Sequence, residues 1–297
     1  MHLLAYIIVY PLLWIISILP FRILYLISDM VYVLVYYIIG YRKKVITENL
    51  KLVFPEKSEK DIFAIRKKFY KHLCDMFLEM AKTITISREA LQKRFILKNP
   101  EVFKKVEKSD KSILLMFGHY ASWEWVVELQ NQTSLPGFGV YKKLNNKYFD
   151  RLVRKIRARY NTTLISTKET INVITNNEAK GLKSIMAFLS DQSPKLSKDV
   201  YWGEFMGIEV PCFTGAERIA KKLDLTIAYL KVNKVKRGYY ESEFILLSEN
   251  PKEFKDYELT DMFLREVEKQ IYEAPEYYFW THKRWKHRGK NPKIQLK

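Results

Sequence analysis

Cysteine is scarce in this sequence: Cys74 and Cys212 are the only two in 297 residues. That excludes a disulfide framework, and with no CxxC pair it excludes a cysteine-based zinc module; a reducing compartment is the default. Acidic residues are also in deficit, 33 Asp and Glu against 51 Lys and Arg, which leaves a formal net charge of +18. Glycine and proline, ten of each, are too few for a collagen-like or low-complexity chain. Also missing are the GxSxG elbow, the Walker A loop, GxGxxG and HExxH, so serine-elbow, P-loop, dinucleotide-fold and zinc-peptidase chemistry have no foothold. No internal repeat is present. What remains, 48% apolar and 28% charged, is a globular chain long enough for a sizeable core.

The apolar residues crowd the front. Residues 1–40 carry two formal charges, Arg22 and Asp29, with apolar runs over Leu3–Pro20 and Ile23–Gly40. A hydrocarbon core about 30 Å thick takes roughly 20 helical residues, so either run is near the spanning minimum. A basic n-region and a small-residue cleavage pattern are both lacking, which sets the segment apart from a signal peptide. Residues 1–40 therefore read as a membrane anchor before a domain over 41–297, the competing reading being a buried core hairpin. The anchor could be one span plus an interfacial helix, a spanning hairpin or a monotopic wedge. Arg42, Lys43 and Lys44 follow at once and favour the cytoplasmic side for the domain.

Two stretches hold most of the charge excess. Tyr141–Arg159 and His282–Lys297 each carry seven net positive charges. Such clusters suit nucleic acid, anionic lipid headgroups or an acidic protein, or form a solvated face. An apolar front favours lipid, and no compact nucleic-acid motif is present.

Helices are predicted over Tyr41–Val53, from Ser58 to about Lys82 behind a capping box formed with Asp61, and over Ser87–Phe95. From Ser112 the pattern alternates. Strands are predicted at Ser112–Phe117, Phe138–Tyr141, Thr162–Ser166, Lys183–Ser190, Leu225–Val232 and Tyr239–Leu247, the last two joined by a turn at Lys236–Arg237–Gly238. Helices fill Trp125–Gln130, Lys147–Arg159, Thr170–Asn176, Gly215–Leu223 and Thr260–Tyr272. The expectation is an α/β fold with a single central mixed sheet flanked by helices.

Chemistry points to His119-Tyr-Ala-Ser-Trp-Glu124, an HxxxxE spacing between a strand and a helix. On one continuous helix, positions five apart lie about 140° apart and cannot touch. The pair works only with His119 on the turn and Glu124 folding back toward it. A carboxylate on one imidazole nitrogen would fix the tautomer and leave the other to take a proton from a hydroxyl. A histidine satisfied by local hydrogen bonds fits the same six residues equally well. His72 and Cys74 fall on an amphipathic helix, where packing is the simpler role.

The order of blocks carries more weight than one motif. An apolar front, then GHYASWEW, YKKLNNKYFDRLVRKIRAR, SDQSP and APEYYFWTHKRWK, resembles the bacterial lipid A secondary acyltransferases, the late enzymes of the lysophospholipid acyltransferase superfamily. The resemblance covers nearly the whole chain. It implies an α/β domain on the cytoplasmic face of the bacterial inner membrane. It also implies acyl transfer from acyl carrier protein to a hydroxyl of a lipid A precursor, with no cofactor or metal. His119 then matches the family's catalytic histidine and Glu124 its acidic partner. Arg157 and Arg159 match an Arg-x-Arg element, with Arg157 nearer the chemistry, and Asp191 matches an aspartate at a strand end. Tyr141, Lys142, Arg159, Asp191 and Arg284 become candidate substrate contacts. Trp280, His282, Arg284 and Trp285 match an aromatic-basic signature with no derived role. The sequence departs from its relatives in beginning the motif with Gly-His rather than Asn-His and in placing Lys143 where proline is common. The EGTR-type block of glycerol-phosphate acyltransferases is absent.

Together these give a working expectation of direct attack by an acceptor hydroxyl on a thioester, with His119 as base and Arg157 or backbone amides at the oxyanion. Two alternatives stand beside it: transfer to another membrane lipid, such as an aminolipid or lysophospholipid, and a non-catalytic basic protein that binds anionic lipid.

Overall fold

A computed structural model describes residues 2–292. The front forms helix α1 (His2–Ile18) and helix α2 (Phe21–Val33), which runs on as a π-helical turn, Leu34–Ile39, and stops at Gly40 with φ +67°. Helices α3 (Lys43–Val53), α4 (Glu59–Lys82) and α5 (Arg88–Gln92) follow. Ser58 caps α4 as expected, its hydroxyl accepting from the Asp61 amide at 3.2 Å. Next come strand β1 (Phe95–Leu97), helix α6 (Pro100–Glu107), strand β2 (Ile113–Phe117) and a 3-10 helix over Trp123–Asn131. Strand β3 (Gly137–Tyr141), helix α7 (Lys147–Ala158), strand β4 (Thr162–Ser166), helix α8 (Thr170–Ala179) and strand β5 (Ile185–Leu189) alternate regularly. The chain ends with strands β6 (Tyr201–Phe205) and β7 (Ile208–Cys212), helix α9 (Gly215–Leu223), strands β8 (Thr226–Lys236) and β9 (Tyr239–Ser248), and helix α10 (Glu258–Glu273).

Seven strands form one mixed sheet in the order β1-β9-β8-β2-β5-β3-β4. The five from β8 to β4 run parallel, while β9 is antiparallel to β8 and β1 follows β9. All five residues of β2 are buried, as expected of a central strand covered on both faces. The α/β expectation therefore holds.

Four elements escaped the sequence reading. The segment expected as a helix to Phe95 gives way to the three-residue edge strand β1. α6 was not foreseen, and β6 and β7 form a separate hairpin where only glycine-containing segments had been noted. The hairpin turns on Met206 and Gly207, both at positive φ (56° and 72°), the two-residue turn whose twist matches its strands. Met206 tolerates the left-handed region because its amide is held by the Glu268 carboxylate at 2.5 Å.

The two N-terminal helices are docked on α4. Leu24, Ser28, Tyr32 and Tyr36 are buried at four-residue spacing. Ser28 donates to Asp75 (2.7 Å) and Tyr25 to Glu79 (2.8 Å), while Arg237, at the tip of the β8–β9 hairpin, bridges Asp29 and Asp75. Glu79 also accepts from Tyr240 (2.7 Å).

Burial pushes the Glu79 carboxyl up to about 7, against the lowering effects of Lys234 and its two tyrosine donors. An unfolded glutamate titrates near ~4.3, so the folded state holds this proton more tightly, and its contribution to stability is lost as pH rises from there through the folded value. Tm followed between about pH 5 and pH 7.5 should therefore fall with rising pH, and Glu79→Gln should flatten that fall.

Candidate active site

β2 and β5 lie side by side in parallel, with Phe117 opposite Leu189. Two residues beyond each pair member stand His119 and Asp191, and the register carries them together. His119 Nδ1 donates to Asp191 Oδ1 at 2.6 Å, and the His119 amide donates to Oδ2 at 3.0 Å. At Gly118 a Cβ would crowd the Val267 side chain at 3.3 Å, while Asp191 Oδ2 would stand at an ordinary contact distance of 3.7 Å. The loop then turns tightly: the Tyr120 amide donates to the Gly118 carbonyl, and Ala121 takes φ +49°, a strained value for a residue with a Cβ. Asp191 is wholly buried, whereas the His119 side chain keeps 17% exposure. Burial alone would raise the Asp191 carboxyl, but His119 and its hydrogen bonds outweigh that and hold it below the usual carboxylate range.

The partner expected for His119 was Glu124, and this is corrected: the carboxylate on His119 is Asp191. Glu124 lies in the first turn of the 3-10 helix and forms an ion pair with Arg157. Arg157 also donates to the Glu124 carbonyl at 2.8 Å. Burial pulls Arg157 down to about 10, so it remains a cation near neutrality.

Behind the loop, the C-terminal aromatic-basic signature acts as a strap. The Phe279 amide donates to the His119 carbonyl and the Ala121 amide to the Tyr277 carbonyl, both at 3.0 Å. The Phe279 ring stacks near His119, and Trp123 sits edge-on to both. Burial, with the Asp191 carboxylate nearby, pushes the Tyr278 phenol well above its ordinary value. His282 lies within electrostatic reach of Asp191 and His119, and burial pushes it down to about 4, so it is neutral at physiological pH. Trp280 and Trp285 are core residues, their indoles donating to the Pro275 and Phe205 carbonyls. Residues 293–297, the end of the basic C-terminal stretch, lie outside the described residues.

Beside the loop opens an apolar cavity of about 400 Å³. Its walls come from Leu115 and Phe117 of β2, Ile185, Ala187 and Leu189 of β5, and the whole of β3. Trp123, Glu124, Arg157, Tyr141 and Lys142 also line it. The histidine and the cavity thus meet at Trp123, which touches both. Two candidate substrate contacts, Tyr141 and Lys142, are placed here; Tyr141 is held by Asp150 and Arg154.

Two others are not. Arg159 donates to the carbonyls of Thr83, Ile84 and Ile86, tying the end of α7 to the end of α4. Arg284 is completely buried, donating to the Pro211 carbonyl at 2.9 Å and to Cys212 Sγ at 3.4 Å beneath Phe205. Both guanidiniums are engaged by main-chain carbonyls of the fold, Arg159 at the surface and Arg284 in the core. His72 and Cys74 pack inside α4 as expected. Among the described residues no group of three or more His, Cys, Asp and Glu side chains could hold a metal ion.

Residues 2–287 match the sequence profile of the bacterial lipid A biosynthesis acyltransferases. The chain belongs to that family. Among its relatives, the lipid A biosynthesis lauroyltransferase of Escherichia coli (strain K12) is 24% identical over 279 residues, 93% of this chain and 89% of the relative. The lipid A biosynthesis palmitoleoyltransferase of the same strain and a lipid A biosynthesis acyltransferase of Shigella flexneri are each 21% identical over 249 residues, 83% of this chain and 79% of theirs. As a lipid A biosynthesis acyltransferase, the chain is expected to divide its site residues into two behaviours. Asp191→Asn should lower kcat on the order of 10²–10⁴-fold with little change in Tm, by losing the tautomer and charge control of His119. Arg284→Met should lower stability by about 1–3 kcal/mol, chiefly through unsatisfied carbonyls, with kcat per folded molecule retained; thermal melts alongside initial rates separate the two.

Proposed function

We propose that this lipid A biosynthesis acyltransferase moves a fatty acyl group from an acyl carrier protein thioester to a hydroxyl of a lipid A precursor, working at the cytoplasmic surface of the bacterial inner membrane. One observation carries the reading: a carboxylate-held histidine and an apolar cavity share a wall at Trp123. Acyl transfer needs those two things adjacent, a base for the alcohol and a slot for the chain.

In this mechanism the Nδ1 proton of His119 stays on the ring, donated in a hydrogen bond to the Asp191 carboxylate, and Nε2 takes the proton of the acceptor hydroxyl. The hydroxyl oxygen attacks the thioester carbonyl, a C–O bond forms, the C–S bond breaks, and the proton passes from His119 to the leaving sulfur. No protein nucleophile takes part. Arg157, aimed at the cavity by Glu124, stabilises the charge that develops on the carbonyl oxygen, an effect of ~3 kcal/mol per donor in comparable sites. The acyl chain occupies the cavity, each buried methylene contributing about 0.8 kcal/mol. Lys142, Lys143, Lys147, Arg151 and Lys155 are exposed along α7 and the loop before it, a surface suited to an acidic carrier protein or to lipid phosphates.

The test is acyl transfer by purified protein in detergent, with an acyl-carrier-protein donor and a tetra-acylated lipid A precursor. Wild type should transfer, and His119→Ala, with an unchanged melt, should not. Equal transfer by both overturns the base; no transfer by either, with transfer to a lysophospholipid or aminolipid, overturns the acceptor.

Chain length should follow cavity depth. A Cβ at Gly139 would stand 3.0 Å from Leu164 Cδ2, and Leu164 and Thr162 line the cavity. Gly139→Leu should shift preference toward shorter donors, by roughly fourfold for each methylene displaced, read from competing acyl donors in one reaction.

A further inference from the structure

A dense run of exposed apolar residues covers the first two helices. Leu4, Ile8, Leu12 and Ile15 of α1 and Leu26 and Met30 of α2 all point away from the protein. By length and composition Phe21–Ile39 could cross a membrane. The way it is held argues otherwise.

Both helices are fastened to the polar domain along their length. At the start of α1, Asn146 donates to the His2 carbonyl and Tyr6 packs on Tyr148 and Phe149. At its end, Lys82 donates to the carbonyls of Ser17 (2.7 Å) and Leu19 (2.6 Å). One face of α2 and its π-helical continuation, carrying Leu24, Ser28, Tyr32 and Tyr36, is buried, about 18 Å of helix at 1.5 Å per residue. Halfway along, Asp29 is ion-paired with Arg237. A helix that spans a bilayer needs lipid or other apolar helices around some 20 residues. Here the neighbour is α4, which carries Lys68 and Lys71 beside Tyr32 and Val33 and Asp75 and Glu79 within the contact. Moving α2 across the hydrocarbon would drag those charges with it.

Resting on the membrane reading above, we propose that residues 2–39 do not cross the bilayer. α1 and α2 lie as a two-helix wedge in the leaflet facing the domain, outward faces among the acyl chains. Basic residues flank both ends of the wedge: Lys142, Lys143 and Lys147 next to the start of α1, and Arg42, Lys43 and Lys44 after α2. That charge complements an anionic leaflet. Lys142 and Leu144, which line the cavity, belong to the loop that touches the start of α1, so the cavity mouth comes to the lipid surface.

The experiment places single cysteines in the full chain at Leu3, Ile18 and Lys44; the native Cys74 and Cys212 are buried. Spheroplasts are treated with a membrane-impermeant maleimide before and after detergent lysis. The wedge gives a carbonate-resistant membrane protein with no labelling from outside at any position and labelling of all three after lysis. Outside labelling of Leu3→Cys or Ile18→Cys reveals a span or a spanning hairpin, and overturns the wedge while membrane attachment stands. Release of the protein by carbonate overturns membrane insertion and the wedge together. Spin labels in phosphatidylethanolamine–phosphatidylglycerol vesicles give an independent reading. Leu26→Cys and Met30→Cys at one shallow depth fit the wedge, and a depth that changes steadily from Leu26 to Ile38 overturns it. Neither measurement depends on catalysis, so failed acyl transfer leaves both interpretable.

Discussion

The site depends on one constraint, the in-register parallel pairing of β2 with β5. His119 and Asp191 are 72 residues apart in the chain and have no local reason to meet. They meet because Phe117 pairs with Leu189 and both strands end at the same edge of the sheet. Loops at the carboxyl ends of parallel strands form a crevice, and here the crevice holds a histidine, its carboxylate and one end of a cavity. A slip of one residue in that pairing would turn the strand's side chains to the opposite face and part the imidazole from its carboxylate. The C-terminal strap protects the arrangement from behind, with backbone hydrogen bonds from Phe279 to His119 and from Ala121 to Tyr277.

Positive charge performs three separate tasks in this molecule. Arg159, Arg237 and Arg284 are structural: each guanidinium reaches carbonyls, carboxylates or a thiol that fix one element against another. Arg157 faces the cavity with its charge balanced by Glu124. The lysines of Tyr141–Arg159 remain in solvent, where they cost little and are free to meet an anion. Net charge cannot distinguish these roles, because burial and the partner at hand decide each one.

That difference explains what could be read from the sequence. Strands β2 to β5, the β8–β9 pair and the Ser58 cap follow from patterns a few residues long. His119 was legible as well, since it stands between a strand and a helix beside a glycine. Its partner was not. HxxxxE offers the nearest carboxylate in the chain, whereas the actual contact depends on which strand lies beside β2, a fact of sheet order. Only the family resemblance had placed Asp191 at a site-lining strand end. Arg284 misled for a related reason: a basic residue in a cationic C-terminal stretch looks solvated, and its burial depends on the β6–β7 hairpin that the sequence reading missed.

On the proposed mechanism, the surroundings of His119 also bear on the choice between alcohol and water as acceptor. A thioester can be hydrolysed by the same base that activates a hydroxyl, so transfer requires water to be scarce where the carbonyl sits. Trp123 and Phe279 pack on the imidazole, and the cavity beyond is lined mostly by aliphatic and aromatic side chains. In such a setting the proposed interaction of Arg157 with a developing negative charge would be strengthened by the low local dielectric. The Glu124–Arg157 pair keeps that buried cation from standing alone before substrate arrives. On the proposed mechanism, apolar walls and an ion pair at one mouth act together: the walls disfavour the competing nucleophile, and the pair keeps a charge beside the reacting carbonyl.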